Sequence, residues 1–217
     1  MAIQIGRREF IVTLGGTAAA WPLVVSAQQP TKRPAIDLDE VGAGSMTPQE
    51  FETSFPKVMA WIQQTLWTHK TLARPVTAKN FRRLPLYFSK AQIEAAKFVV
   101  VDRIPVPPLS SIGLSRFKEF ERGDYEGNAY LDTYFLKRAR ADDESLHFHE
   151  MIHLVQWRLL GAEAFLAMYA GGLEKFGYRN SPLERMAYDA QELFARSAPV
   201  FDAEKLVADK LAWHEIS

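Results

Sequence analysis

Apolar positions along most of the chain recur at helical spacing, with a few strand-like runs near its middle. Thr47-Pro48-Gln49-Glu50 is a capping box with proline at the first helical position, so a helix begins there. Pro56 should break or kink it before Val58, Met59, Ile62 and Leu66 continue the apolar stripe. Residues 84–88 read as a short strand and residues 89–96 as a helical turn. The β-branched run Val99-Val100-Val101 ends at the stiff loop of Pro105, Pro107 and Pro108. Residues 130–136 alternate as a single strand, entered through Gly127-Asn128. Asp142, Asp143 and Glu144 start a largely apolar helix that Gly161 should stop. A helix over 162–170, a break at Gly171-Gly172, a turn at Tyr178-Arg179-Asn180, a helix from Ser181-Pro182 and a last one over 202–213 follow. The expected class is α+β, helix-rich, without internal repeats or low-complexity tracts.

The opening residues have a different character. Gly6-Arg7-Arg8-Glu9-Phe10-Ile11-Val12 leads into an uncharged stretch that ends at Val25-Ser26-Ala27. This resembles a secretory signal over 1–27, and the paired arginines resemble a twin-arginine (Tat) signal, although Gly6 and Val12 depart from its usual residues. An uncleaved anchor is the rival reading. Trp21-Pro22 and Gly15-Gly16-Thr17 make the stretch weakly hydrophobic for that role. The expectation is export to a bacterial periplasm or beyond, a flexible leader over 28–46, and a single domain over 47–217. Lys+Arg and Asp+Glu number 26 each, and losing Arg7, Arg8 and Glu9 leaves one excess acid. Neither nucleic acid nor stable membrane insertion is expected of the mature chain. With no cysteine, any metal site must use histidine and carboxylate.

The chemistry concentrates in His149-Glu150-Met151-Ile152-His153, an HExxH sequence. Positions four apart share a helix face, so two imidazoles can grip one tetrahedral metal with Glu150 beside it as base. The segment around them (Leu146, Met151, Ile152, Val155, Leu159, Leu160) is apolar, and ionisable groups buried there cost free energy unless paired or ligated. His147 lies about 200° round the helix from His149 and points away. A catalytic zinc normally takes a third protein ligand. Glu184, about thirty residues after His153, is the leading candidate; Glu192 and His214 are weaker. Ser181-Pro182-Leu183-Glu184 is also a capping box, so the same carboxylate could serve as ligand or as cap.

HExxH followed by a glutamate on a second helix resembles the gluzincin branch of zincin metallopeptidases. The string His149-Glu150-x-x-His153-x-x-Gln156, then Asn180-x-Pro182-x-Glu184-x-x-Ala187-Tyr188, resembles small bacterial zincin-like domains, over residues 127–195. The resemblance implies one Zn2+ per chain on His149, His153 and Glu184, with Glu150 as general base. It implies an edge strand for extended substrate, placed at 130–136 with Tyr130, Asp132 and Tyr134. Tyr178, Arg179 and Tyr188 are candidates for the transition-state stabiliser, and Gln156 is either an orienting partner of His153 or a polar cap. Leu159 stands where a metzincin would have its third histidine, which excludes that branch. The implied activity is a zinc-dependent metallopeptidase acting on a peptide, or a hydrolase of another amide such as a cell-wall amide. The alternative is an exported metal-binding or interaction protein without catalysis. A di-iron bundle would need Glu144-x-x-His147 and Glu150-x-x-His153 on separate helices, but they share one. Trp61, Trp67, Trp157 and Trp213, with Tyr134-Phe135, are expected in packing roles.

Overall fold

The computed structural model describes residues 46–196 and 199–214, the last two by backbone alone. The signal expected over 1–27 and the leader expected over 28–46, Met46 excepted, lie outside the described residues. Among the described residues six α-helices and a four-stranded sheet follow one another: α1 (Pro48–His69), β1 (Arg74–Pro75), α2 (Lys90–Ala95), β2 (Lys97–Val101), α3 (Lys118–Arg122), β3 (Gly127–Tyr130), β4 (Thr133–Lys137), α4 (Glu144–Phe176), α5 (Pro182–Ala195) and α6 (Ala203–His214). The fold is α+β and helix-rich, as the pattern implied. Among the described residues no helix is long and apolar enough to cross a membrane.

α1 starts at the expected capping box, where Thr47 Oγ1 accepts from Glu50 N–H and Glu50 accepts from Thr47 N–H. It does not break at Pro56. The carbonyl that Pro56 leaves without a donor belongs to Glu52, and both residues face water. Ser54, Val58, Ile62 and Thr65 bury the opposite side.

Residues 84–88 are not a strand. Leu84–Leu86 form a 3-10 turn, with Tyr87 N–H bonded to Leu84 C=O. Pro85 has no N–H for a ladder, and the amides of Arg83 and Leu84 donate to Glu144 Oε1 at 3.0 and 2.8 Å.

The sheet runs β1-β2-β4-β3, with β2 and β4 parallel and the other pairs antiparallel. The strand expected over 130–136 is instead the turn and second arm of a hairpin. Leu131 adopts a positive φ of 58°, and Tyr130 pairs back onto Thr133. A leucine in the left-handed region costs about 1 kcal/mol or more, which is why no turn signal marked it. The outer strand of that hairpin, and one of the sheet's two edges, is therefore β3. On one face of the sheet Phe98 and Tyr134 pack around His147 of α4, and on the other Phe135 meets His69 of α1.

α4 is fully buried from Leu146 to Trp157. Its helical path is interrupted at Gly161, where φ 75° and ψ 168° fall in a region that only glycine occupies readily. A second helical stretch over 162–176 follows at once. Gly171-Gly172 does not break it. Gly172 serves close approach instead, because a Cβ there would lie 2.9 Å from Pro182 Cδ and 3.0 Å from Ser181 Cβ. Phe148 stacks on Phe194 of α5 at 4.4 Å, with Tyr87 edge-on to both. Trp157 is buried, and Trp61 packs against the core. Trp67 contradicts the packing expectation: it is 60% exposed, with the Lys70 ammonium over its ring.

Gly172→Ala gains helix propensity but must push the α5 N-terminus away. A net loss of about 1–3 kcal/mol in urea unfolding is expected; a more stable variant would show that the two segments do not need this contact.

Candidate metal centre

His149, Glu150 and His153 come from the buried half of α4, and Glu184 comes from the first turn of α5. All four are at most 5% exposed. The Nε2 atoms of His149 and His153 lie 3.1 Å apart, and each is 3.5 Å from an oxygen of Glu184. His149, His153 and Glu184 each offer a donor atom within 4.8 Å of the others, the spacing of ligands around a single ion.

Two glutamines set the direction of the imidazoles. Gln156 Oε1 faces His153 Nδ1 at 2.8 Å, while its amide nitrogen donates to Leu183 C=O. Gln191 Oε1 faces His149 Nδ1 at 3.1 Å, while its nitrogen donates to Ser145 C=O and Oγ. With the amide nitrogens committed, each oxygen can only accept, so each ring donates at Nδ1 and turns its Nε2 lone pair inward. Two lone pairs and a carboxylate then converge on one point, which demands a positive charge there.

The electrostatics express the same demand. Burial works against a charge on His153, but the Glu184 carboxylate overcomes it and pushes the imidazole up to about 9. Burial holds His149 below its usual value. Glu184 resists its own burial because His153 and His149 hold it well below the carboxylate range. Glu150, buried and near Glu184, is pushed up to about 8. The Oε2 atoms of Glu150 and Glu184 have no hydrogen-bond partner among the described residues. Buried carboxylate oxygens are rarely left so without an ion or water to meet them. The donor set fits zinc.

The capping alternative for Glu184 is not realised. Ser181 makes no side-chain cap bond, and the Glu184 carboxylate turns instead to the imidazoles and to Tyr169 OH at 2.7 Å. His147 points away as expected, held by Tyr134 OH at 2.6 Å and Ala141 C=O at 3.0 Å and pushed by burial down to about 4. Glu144 is occupied by the amides of Arg83 and Leu84, and Glu192 pairs with Arg196. The His214 side chain lies outside the described residues.

Of the three candidate stabilisers, Tyr188 touches the cluster, its ring 4.6 Å from that of His149. The Tyr178 ring packs against Tyr125 at 4.9 Å, and Arg179 stacks over the Tyr188 ring at 4.8 Å. Both phenols are pushed upward, first by burial and then by Glu184, so both stay protonated. Tyr130, Asp132 and Tyr134 do not form a substrate strand. Tyr130 OH donates to Pro105 C=O, Asp132 pairs with Lys97 in the turn, and Tyr134 is buried against His147. The sheet edge beside the cluster is β3, whose buried Gly127 rests on Glu150; a Cβ at Gly127 would overlap the carboxylate.

Gln191, Tyr169 and Gly127 were not found from sequence. Gln191 lies one residue before the considered Glu192, and Tyr169 belongs to no motif spacing.

No family model matches the chain, and neither a curated protein nor a solved structure matches it.

Zinc titration of the full chain should find about one site. Glu184→Ala should lose stoichiometric zinc after dialysis, Gln191→Leu should bind roughly ten- to hundredfold more weakly, and Ser181→Ala should be unchanged. Wild-type affinity in Gln191→Leu would show that the amide does not orient His149.

Proposed function

We propose that this chain is a zinc-dependent hydrolase of amide bonds, most simply a peptidase, with the ion held by His149, His153 and Glu184. The observation that carries the proposal is the meeting of two inward Nε2 lone pairs and Glu184 beside a buried, partnerless Glu150 oxygen. A zinc ion held there would acidify a water and polarise a carbonyl. Tyr169 occupies Glu184 Oε1 and leaves Oε2 free to face the ion.

Glu150 is the general base. Burial makes its carboxylate a stronger base, and the charge of an ion held beside it would keep it ionised, ready to take a proton from water and return it to the leaving amine. The Tyr169 hydroxyl is committed to Glu184, which leaves those of Tyr188 and Tyr178, kept protonated, as the phenolic donors for a developing oxyanion.

β3 offers an extended substrate a short edge. Lys137 N–H bonds Glu126 C=O, so in this register the backbone groups of Gly127 and Ala129 point outward. Trp157 Nε1–H already occupies Ala129 C=O at 3.0 Å. Main-chain pairing therefore centres on Gly127, directly over the base.

A structural metal site would have no use for Glu150, whose burial costs free energy. That favours catalysis over a binding role alone. The first residues support an exported location for this activity.

Glu150→Gln should keep its zinc and lose roughly 10²–10⁴-fold in turnover on a peptide library. Unchanged turnover would sink the mechanism. Gly127→Ala should also retain zinc and the wild-type melting profile within a few degrees, yet lose activity because the methyl displaces the carboxylate. Full activity in that variant would show that Glu150 does not act from this position.

A further inference from the structure

The turn between α4 and α5 brings a guanidinium to within one aromatic ring of the cluster. Gly177, at φ 73°, ends α4, and Ser181 N–H bonds Tyr178 C=O to close the turn before α5 begins. The Tyr178 ring rests on Tyr125 at 4.9 Å, so the backbone that presents Arg179 is fixed. The guanidinium lies 4.8 Å from the centroid of Tyr188, and the Tyr188 ring meets that of His149 at 4.6 Å. Arg179 is exposed, and among the described residues no carboxylate pairs with it. Arg116, Arg140 and Arg158 each hold acidic side chains of the fold. Stacking on a ring uses the face of a guanidinium and leaves the N–H groups of its edge for a carboxylate, which they meet in two parallel bonds.

We propose that Arg179 anchors a carboxylate of the substrate, supplied by a free C-terminus or by an acidic side chain. The proposal rests on the hydrolase reading and adds a substrate class to it. Reach supports it. An extended peptide advances about 3.3 Å per residue, so two ring contacts put the anchor no more than about three residues from a carbonyl held at the cluster. Pre-organisation supports it as well. Tyr188 and the closed turn already restrain the side chain, so little of its freedom is left to lose when an anion arrives. A guanidinium kept only for stacking would affect melting and leave substrate choice alone.

The test uses the full chain loaded with zinc, its zinc content measured first. One set of peptides compares a free C-terminus with its C-terminal amide. A second set, amide-capped, compares aspartate or glutamate with asparagine or glutamine at successive positions. Hydroxamates on alkyl chains of graded length, ending in a carboxylate or a carboxamide, give the same comparison without turnover. In one peptide set the carboxylate member should show kcat/KM roughly five- to fiftyfold higher, mostly through KM, and the set that responds identifies the source. The best-fitting carboxylate hydroxamate should bind tighter than its carboxamide by a similar factor. Arg179→Met, which keeps an apolar stem over Tyr188, should bring these ratios close to one, and Arg179→Lys should keep part of them. If circular dichroism shows that Arg179→Met is unfolded, Arg179→Glu replaces it and should reverse the preference. Equal turnover and equal binding within every pair, or a preference that survives in the substituted chain, overturns the proposal and leaves the hydrolase reading intact. A fall in kcat on both members of a pair with the ratio kept overturns it too, and makes Arg179 an oxyanion stabiliser. Zinc uptake and a hydroxamate preference without any peptide cleavage support the anchor and fail the hydrolase reading. A chain that takes up no zinc fails both.

Discussion

Two imidazole nitrogens held 3.1 Å apart, both facing one carboxylate, form the constraint on which the rest of the structure turns. Left to themselves the rings could rotate, swap tautomers or separate. Gln156 and Gln191 prevent this, and each glutamine is anchored by a backbone carbonyl that belongs to the fold rather than to the site. Gln156 is on α4 and reaches α5 through Leu183 C=O; Gln191 is on α5 and reaches α4 through Ser145. The two helices are thus stitched by the same groups that aim the ligands. Packing of α5 on α4 and poising of the centre are one event, and Gly172 permits it by letting Ser181 and Pro182 approach.

The buried half of α4 carries a high density of ionisable groups for a core helix. Part of its cost is met by partners on neighbouring elements. The N-cap Asp143 accepts from Ser145 and Leu146 N–H, Tyr134 of β4 fixes His147, and β3 covers Glu150 with a glycine. The sheet therefore does more than pack. Its hairpin places a side-chain-free residue where any other would displace the candidate base, and the strained Leu131 turn holds that hairpin in register.

How much of this was legible follows from what each signal depends on. The α1 capping box, the HExxH pair, the rotation of His147 away from it and the stop at Gly161 are local, and spacing alone revealed them. Glu184 was legible as a pair of alternatives, because Ser181-x-x-Glu184 satisfies a cap and a ligand equally well. Only the position of α4 shows which way the carboxylate turns. The strand at 84–88 failed because its amides are claimed by Glu144, sixty residues away by sequence. The single strand at 130–136 failed because a leucine occupies the left-handed turn position that glycine or asparagine usually marks. Gln191 and Tyr169 could not be found by spacing, since their partners lie on other helical segments.

Gly161 links the centre to its surroundings. A continuous α4 would carry residues 162–176 straight on, away from the elements that now surround them. Its extended glycine conformation redirects the chain, so Phe165 stacks on Trp157 at 3.9 Å and Tyr169 returns to Glu184. Trp157 in turn holds the β3 carbonyl at Ala129. One backbone break thereby brings Phe165 onto Trp157 and supplies the hydroxyl that occupies one oxygen of Glu184. A residue with a Cβ would meet no obstacle in space at Gly161, yet would strain the backbone conformation itself. The constraint there is conformational, whereas at Gly127 and Gly172 it is steric. Three glycines, by two different physical means, position the groups around this centre.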